Sequence, residues 1–249
     1  MDYNTYLVTR MSAAGDLERP TKDLAARCLA KFDDSTASVD VRTFALEVMV
    51  SQVNNGNTTM LGYLPEICQR IEDQEDQQST ALPGLQCLHR QIIDAVLTLI
   101  SLPEKNIADV QFGPVVRYLV KLVACEDVET ASEACEFWSL GPLALASTRE
   151  PWMTAFEPQL PRLIEALIDR MIFRQHVDLS SLVARQRTTN FLTSQRATKA
   201  LEVVSKIYPP DLTSAAFMPL VEKRVKSDYW SEKEEAIRAL CIFAKNTGQ

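Results

Sequence analysis

Glycine is scarce, at 7 of 249 residues. Doubly wound α/β enzymes and β-sandwiches of this length spend more glycine on tight turns and phosphate loops, so both classes are disfavoured. Histidine is scarcer still, with His89 and His176 the two representatives. No Gly-x-x-x-x-Gly-Lys-Ser/Thr, Gly-x-Gly-x-x-Gly or Cys-x-x-Cys motif occurs, which removes the usual signatures of phosphate loops, dinucleotide sites and thiolate zinc sites. No apolar run reaches the ~18 residues of a membrane span, and residues 1–20 lack a continuous apolar core of signal-peptide type. Strand-like alternation never persists beyond a few residues.

What is present is helical. Hydrophobic residues make up 46% and charged residues 24%, enough apolar material for a large core. From 160 to 172, Leu160, Leu163, Ile164, Leu167, Ile168, Met171 and Ile172 recur at steps of three and four, which places them on one helix face. Val41, Phe44, Ala45, Val48 and Met49 do the same, as do Ala197, Ala200, Leu201, Val204, Ile207 and Tyr208. Thr130-Ala-Ser-Glu133 and Ser231-Glu-Lys-Glu234 fit the capping box at helix starts, and Pro83 suits a first helical turn.

This patterning predicts ten helices in five pairs. The first helices fall at 20–33, 60–73, 112–125, 157–174 and 213–227. The second helices fall at 39–54, 80–101, 128–140, 195–208 and 231–245. Residues 2–14 read as the second helix of a further pair, so that 1–19 form a partial first repeat. Residues 175–194 read as an insertion between helices, either a short helix or a loop. Four first helices carry proline near their start, at Pro65, Pro114, Pro161 and Pro219, spaced 49, 47 and 58 residues apart. Two-helix repeats of roughly 40–47 residues describe HEAT arrays. The expected fold is therefore all-α, an α-solenoid of about five HEAT-type hairpins forming a single array over 1–249. The competing architecture is a globular helical bundle with coincidental prolines.

The formal net charge is −7. An acidic chain repels nucleic-acid phosphates, whereas basic proteins are natural partners. Asp33-Asp34 and Glu72-Asp73-Gln74-Glu75-Asp76 read as solvated acidic ends of helices. Glu126, Asp127 and Glu129 occupy the equivalent turn of the next repeat and could extend a negative rim for a basic partner. Lys223-Arg224-x-Lys226 is too short a basic group to argue nucleic-acid binding, and it suits a helix C-terminus. The six cysteines, Cys28, Cys68, Cys87, Cys125, Cys135 and Cys241, read as reduced, mostly buried and intracellular. Cys87 and His89 point in nearly opposite directions on a helix and cannot share a metal; His176 reads as solvated within the insertion. Trp138 shares a face with Ala134 and Phe137 and reads as core. Trp152, behind Pro151 in a linker, reads as partly exposed and as a partner-binding candidate. Trp230 reads as a staple-like packing residue before a capping box. No cofactor, metal or catalytic residue is expected.

The hexapeptide Glu133-Ala-Cys-Glu-Phe-Trp138 resembles a stretch of the transportin-type importin-β (karyopherin-β) receptors. Gln159-Leu-Pro-Arg-Leu-Ile164 is similar to that family's Leu-Pro-Lys-Leu-Ile helix. Arg196-Ala-Thr-Lys-Ala-Leu-Glu-Val-Val204 and Tyr229-Trp230 followed by Lys233-Glu-Glu-Ala236 fall in register, as do Glu18-Arg-Pro20 and Val39-Asp-Val-Arg42. The resemblance covers roughly 18–245 and is strongest at 133–173. By it, Glu133, Cys135, Phe137, Trp138 and Pro161 are signature positions of structural character. It implies nuclear protein import in cytoplasm and nucleus, with the Ran GTPase, phenylalanine-glycine nucleoporins and import cargo as partners and without enzymatic turnover. The register implies an internal piece of the family's amino-terminal arch. The family's long acidic insertion has no counterpart, since 175–194 holds one acid, Asp178, and the arginines Arg185 and Arg187. Loop-driven cargo release is therefore not carried over. Two other functions stay open: a helical-repeat scaffold such as a phosphatase regulatory subunit or kinase adaptor, and an all-α enzyme with a site between helices.

Overall fold

The computed structural model describes residues 18–55, 57–77, 85–101, 110–144, 149–171 and 184–247. The protein is all-α, and among the described residues there is no strand. The helices are α1 (Glu18–Asp33), α2 (Val39–Asn54), the single turn α3 (Thr58–Leu61), α4 (Leu64–Gln77), α5 (Leu85–Ile100), α6 (Phe112–Val123), α7 (Val128–Ala144), α8 (Arg149–Phe156), α9 (Leu160–Met171), α10 (Ala184–Ile207), α11 (Pro210–Val225) and α12 (Trp230–Thr247).

Two rows of helices pack against each other. The second-helix row runs α2, α5, α7, α10, α12, each packed on the next. The other row runs α4, α6, α9, α11 in the same manner, with α1 packed on α2 and on the turn α3. Four of the five expected pairs pack helix on helix, α1 on α2, α6 on α7, α9 on α10 and α11 on α12, whereas α4 and α5 of the second pair pack chiefly on their neighbours within the two rows. One continuous core fills the space between the rows, from Phe32 and Leu46 through Val116 and Trp138 to Phe217 and Phe243. Neither helix of a pair could bury its apolar stripe without neighbours on both sides, which is why the repeats stack.

Pro65, Pro114 and Pro161 stand in the first turns of α4, α6 and α9, where a missing N–H costs no intrahelical bond. Pro219 does not. Helix α11 begins at Pro210, so Pro219 lies in its interior. Pro219 and Ala215 are both exposed, and water can satisfy the Ala215 carbonyl that Pro219 leaves without an N–H partner.

Three further expectations change. The supposed linker before residue 157 contains α8, because Pro151 sits in a first turn instead of breaking the chain. The 175–194 insertion is helical from Ala184 onward and continuous with the next helix, which makes α10 24 residues long. The capping boxes are also displaced. Asp127, not Thr130, caps α7: its Oδ2 accepts from the Thr130 amide at 2.9 Å and from the Thr130 hydroxyl at 2.5 Å. Helix α12 starts at Trp230, so Ser231 lies inside the helix, and Glu234 pairs with Arg238 at 3.2 Å. Residues 2–14, Pro83 and His176 lie outside the described residues.

Candidate partner-binding surface

The signature hexapeptide forms the middle of α7, and its faces are divided by function. Ala134, Phe137 and Trp138 are buried. Trp138 meets Phe137 edge-on at 5.2 Å and Phe156 at 5.1 Å; Phe156 stacks on Tyr208 at 4.4 Å. Cys135 is fully buried, and desolvation pushes its thiol up to about 12, which keeps it protonated and inert. The two carboxylates point sideways along the row. Glu133 Oε1 pairs with Arg90 of α5 at 3.2 Å, and Glu136 Oε2 with Arg196 of α10 at 2.6 Å. The hexapeptide therefore locks α7 to its neighbours on both sides. All of its named side chains carry structural contacts, as Pro161 does by opening α9.

Trp152 is a correction to the expected exposed anchor. It is 1% exposed, standing edge-on to Phe112 at 5.6 Å and 6.1 Å from Trp138. Helix α8 turns it inward, as an eight-residue helix with one apolar side must. Cysteine burial is also narrower than expected: Cys28, Cys68 and Cys135 are buried, Cys125 is intermediate, and Cys87 and Cys241 are exposed. His89 is buried as Cys87 is not, with its Nδ1 2.5 Å from the Tyr118 hydroxyl.

The acidic turns are less free than their composition suggests. Asp127 is committed to the α7 cap, and Glu129 Oε2 binds Arg90 at 2.6 Å. Glu126 is exposed. Asp33 pairs with Arg70, and the Asp34 carboxyl is held below its ordinary range by hydrogen bonds from Thr36 and Lys31. Glu72 is mostly buried instead of solvated: it is 6% exposed and accepts from Arg117 Nε at 2.9 Å.

These pairs belong to a pattern that composition alone does not reveal. In the first-helix row, an arginine of each helix reaches back to the repeat before it. Arg70 of α4 binds Asp33 of α1, and Arg117 of α6 binds Glu72 of α4. Arg170 of α9 donates to the Val123 carbonyl at 2.8 Å and to the Cys125 carbonyl, satisfying the open C-terminus of α6. Arg224 of α11, buried despite its charge, binds Asp169 of α9 at 2.5 Å. The arginines lie 47, 53 and 54 residues apart, a repeat as regular as that of the prolines.

Two open grooves lie along this row. One of about 550 Å³ is lined by Pro65, Glu66, Arg70, Gln111 and Pro114, between the starts of α4 and α6. The other, about 480 Å³, crosses α4, α6 and α9 past Asp73, Lys121, Arg162 and Glu165. Gln159 borders it with a buried Oε1 that accepts no hydrogen bond among the described residues. Both grooves mix apolar surface with charges of both signs, which suits them to protein surfaces more than to an apolar small molecule. Among the described residues no group of three or more His, Cys, Asp or Glu side chains is gathered to hold a metal ion, and no described helix is long and apolar enough to cross a membrane.

Of the two most exposed large aromatics, Trp230 was expected to pack. Tyr229 and Trp230, at the α11–α12 turn, are 70% and 69% exposed. The staple reading fails because Trp230 is the first residue of α12 and projects from the end of the stack. Compared with known proteins, the chain matches no family model and no curated protein.

Proposed function

We propose that this chain is part of a nuclear transport receptor of the importin-β/transportin type, working in cytoplasm and nucleus by reversible protein binding without catalytic turnover. The observation that carries the reading is the Glu133–Trp138 hexapeptide, which lies mid-row in a two-row helical stack and resembles the receptor family residue for residue. The grooves between successive first-row helices give such a receptor places to hold short peptide segments, and the net charge of −7 favours basic partners. By resemblance the partners are the Ran GTPase, phenylalanine-glycine nucleoporins and import cargo.

A second reading is a helical-repeat scaffold of another complex, for example a phosphatase regulatory subunit. The composition of 175–194 favours it, since that segment lacks the acidic run through which the receptors couple Ran to cargo release. A pull-down of the folded chain against GTP-locked Ran and immobilised phenylalanine-glycine repeats separates the two. Capture of either supports the transport reading. Two blanks, with a phosphatase catalytic subunit retained from the same extract, establish the scaffold instead.

A further inference from the structure

Successive helix pairs meet at four junctions, and three of these are fastened along both rows. Between the first and second pairs, Arg70 binds Asp33 in the first-helix row, and Asn54 Nδ2 donates to the Gln91 carbonyl at 3.3 Å in the second-helix row. Between the second and third, Arg117 binds Glu72, and Arg90 binds Glu129 and Glu133. Between the third and fourth, Arg170 holds the Val123 and Cys125 carbonyls, and Arg196 binds Glu136 and Ser132. The fourth junction differs. Arg224 binds Asp169 at 2.5 Å in the first-helix row, but among the described residues no hydrogen bond or ion pair joins α10 to α12. On α10, Arg196 is engaged with α7, Lys199 binds Glu202 of its own helix at 3.4 Å, and Lys206 is exposed.

The unfastened row also encloses a charge. Glu133 of α7 and Glu235 of α12 are each the sixth residue of their helix, and each precedes a fully buried alanine, Ala134 and Ala236. Glu133 reaches back to Arg90 of the preceding second-row helix. Glu235 meets no such arginine. It is 4% exposed, its Oε1 lies 3.3 Å from Arg238 of its own helix, and its Oε2 is buried without a hydrogen bond. Glu234 beside it adds repulsion, and Lys233, two residues away, stands on another side of the helix. The side of α12 that carries Glu235 faces the stack, so this burial is set by helices that precede α12. A carboxylate oxygen held from water without a donor is unfavourable whenever the junction is closed, and opening hydrates it. We propose that the fourth junction is a hinge, with the Arg224–Asp169 pair as its axis and Glu235 biasing the second row to open between α10 and α12. Turning about that axis changes the curvature of the stack and fits its surface to the protein it grips. The hinge follows from the packing and does not rest on the transport reading.

Double electron–electron resonance on the full chain tests this, with nitroxide labels on the exposed Cys87 of α5 and Cys241 of α12 and with Cys125→Ser to remove the half-buried thiol. A reference pair, Cys87 with Lys199→Cys in a Cys241→Ser background, spans only the two doubly fastened junctions between α5 and α10. The expected result is a narrow distance distribution for the reference and a broad one for Cys87 with Cys241. Glu235→Gln keeps the shape of the side chain without its charge. It should narrow the broad distribution and leave the reference unchanged, and Glu235→Leu should do the same. Far-UV circular dichroism is expected to stay at the wild-type level in every variant, which separates swinging from unwinding of α12. Equal widths for the two pairs overturn the proposal. A broad distribution indifferent to both substitutions at Glu235 overturns it too, because the looseness then has another origin.

Discussion

Arg117 of α6 donates its Nε to the buried Glu72 carboxylate of α4 across 2.9 Å, joining two successive repeats. Gln69 accepts from the same guanidinium, so the arginine is held at two points. Arg117→Leu takes the guanidinium away from a mostly buried carboxylate on the wall of the second groove. The expected cost is about 3 kcal/mol, at the lower end for a broken buried pair because Arg117 is itself partly exposed. Urea denaturation measures it. The double variant Arg117→Leu with Glu72→Leu recovers most of the loss, since an apolar pair leaves no charge to desolvate.

The three tryptophans report two environments. Trp138 and Trp152 are enclosed, whereas Trp230 is open to solvent. Iodide should quench only the Trp230 fraction of the native fluorescence, and Trp230→Phe should abolish the quenchable component without moving the unfolding midpoint. Quenching that survives Trp230→Phe contradicts the burial of the aromatic cluster.

Gly141 lies one helical turn beyond Phe137, and a Cβ built there meets the Phe137 ring at 2.9 Å. In an unconstrained helix interior, glycine to alanine is stabilising by roughly 1 kcal/mol. Here the ring must move within the Trp138–Trp152 cluster, so Gly141→Ala is expected to destabilise by about 1–2 kcal/mol. Chemical denaturation reads the sign. Combining it with Phe137→Leu restores the ordinary helix preference.

His89 sets a pH window. Burial lowers its pKa from 6.5 to about 4, with Asp127 pulling the other way and Lys121 adding slightly to the decrease. The unfolded chain takes up this proton as pH falls through 6.5, and the folded chain only near 4. Stability is therefore lost progressively between pH 6.5 and 4 and levels off below, by up to about 3 kcal/mol from this residue. Glu133 and Glu235, whose carboxyl pKa values burial raises, contribute in the opposite direction as the medium acidifies. The clean measurement is a difference: His89→Gln should remove the slope that wild type shows over this window while leaving the carboxyl contribution in place.

Much of the architecture was legible because the core-facing stripes are regular. Helix α2 falls where Val41, Phe44 and Met49 place it, and α9 follows the 160–172 stripe to within its ends. What escaped notice lacked that regularity or contradicted it. The first turns of α10 carry Phe191 and Leu192 on an exposed side, so no inward stripe marks them as helix. Helix α8 hid behind Pro151, which reads equally as a breaker and as a first-turn residue. The Asp127 cap was misplaced by one turn because the Asp127 carboxylate takes both the Thr130 amide and the Thr130 hydroxyl, which puts Thr130 inside the helix instead of at its cap. The arginine ladder was invisible for another reason: its spacing could be counted, but which acid or carbonyl each arginine meets depends on how the repeats stack. Trp152 and Trp230 exchanged roles on the same ground, since exposure of an aromatic next to a turn is decided by the neighbouring helix.

The central claim is that this stack is a transport receptor's binding surface. Titration of the chain with Ran loaded with a non-hydrolysable GTP analogue, and separately with GDP, tests it most directly. The account predicts saturable binding of the GTP form and at least about tenfold weaker binding of the GDP form, about 1.4 kcal/mol of discrimination. Equal affinity for both forms, or binding of neither by the folded chain, would contradict it.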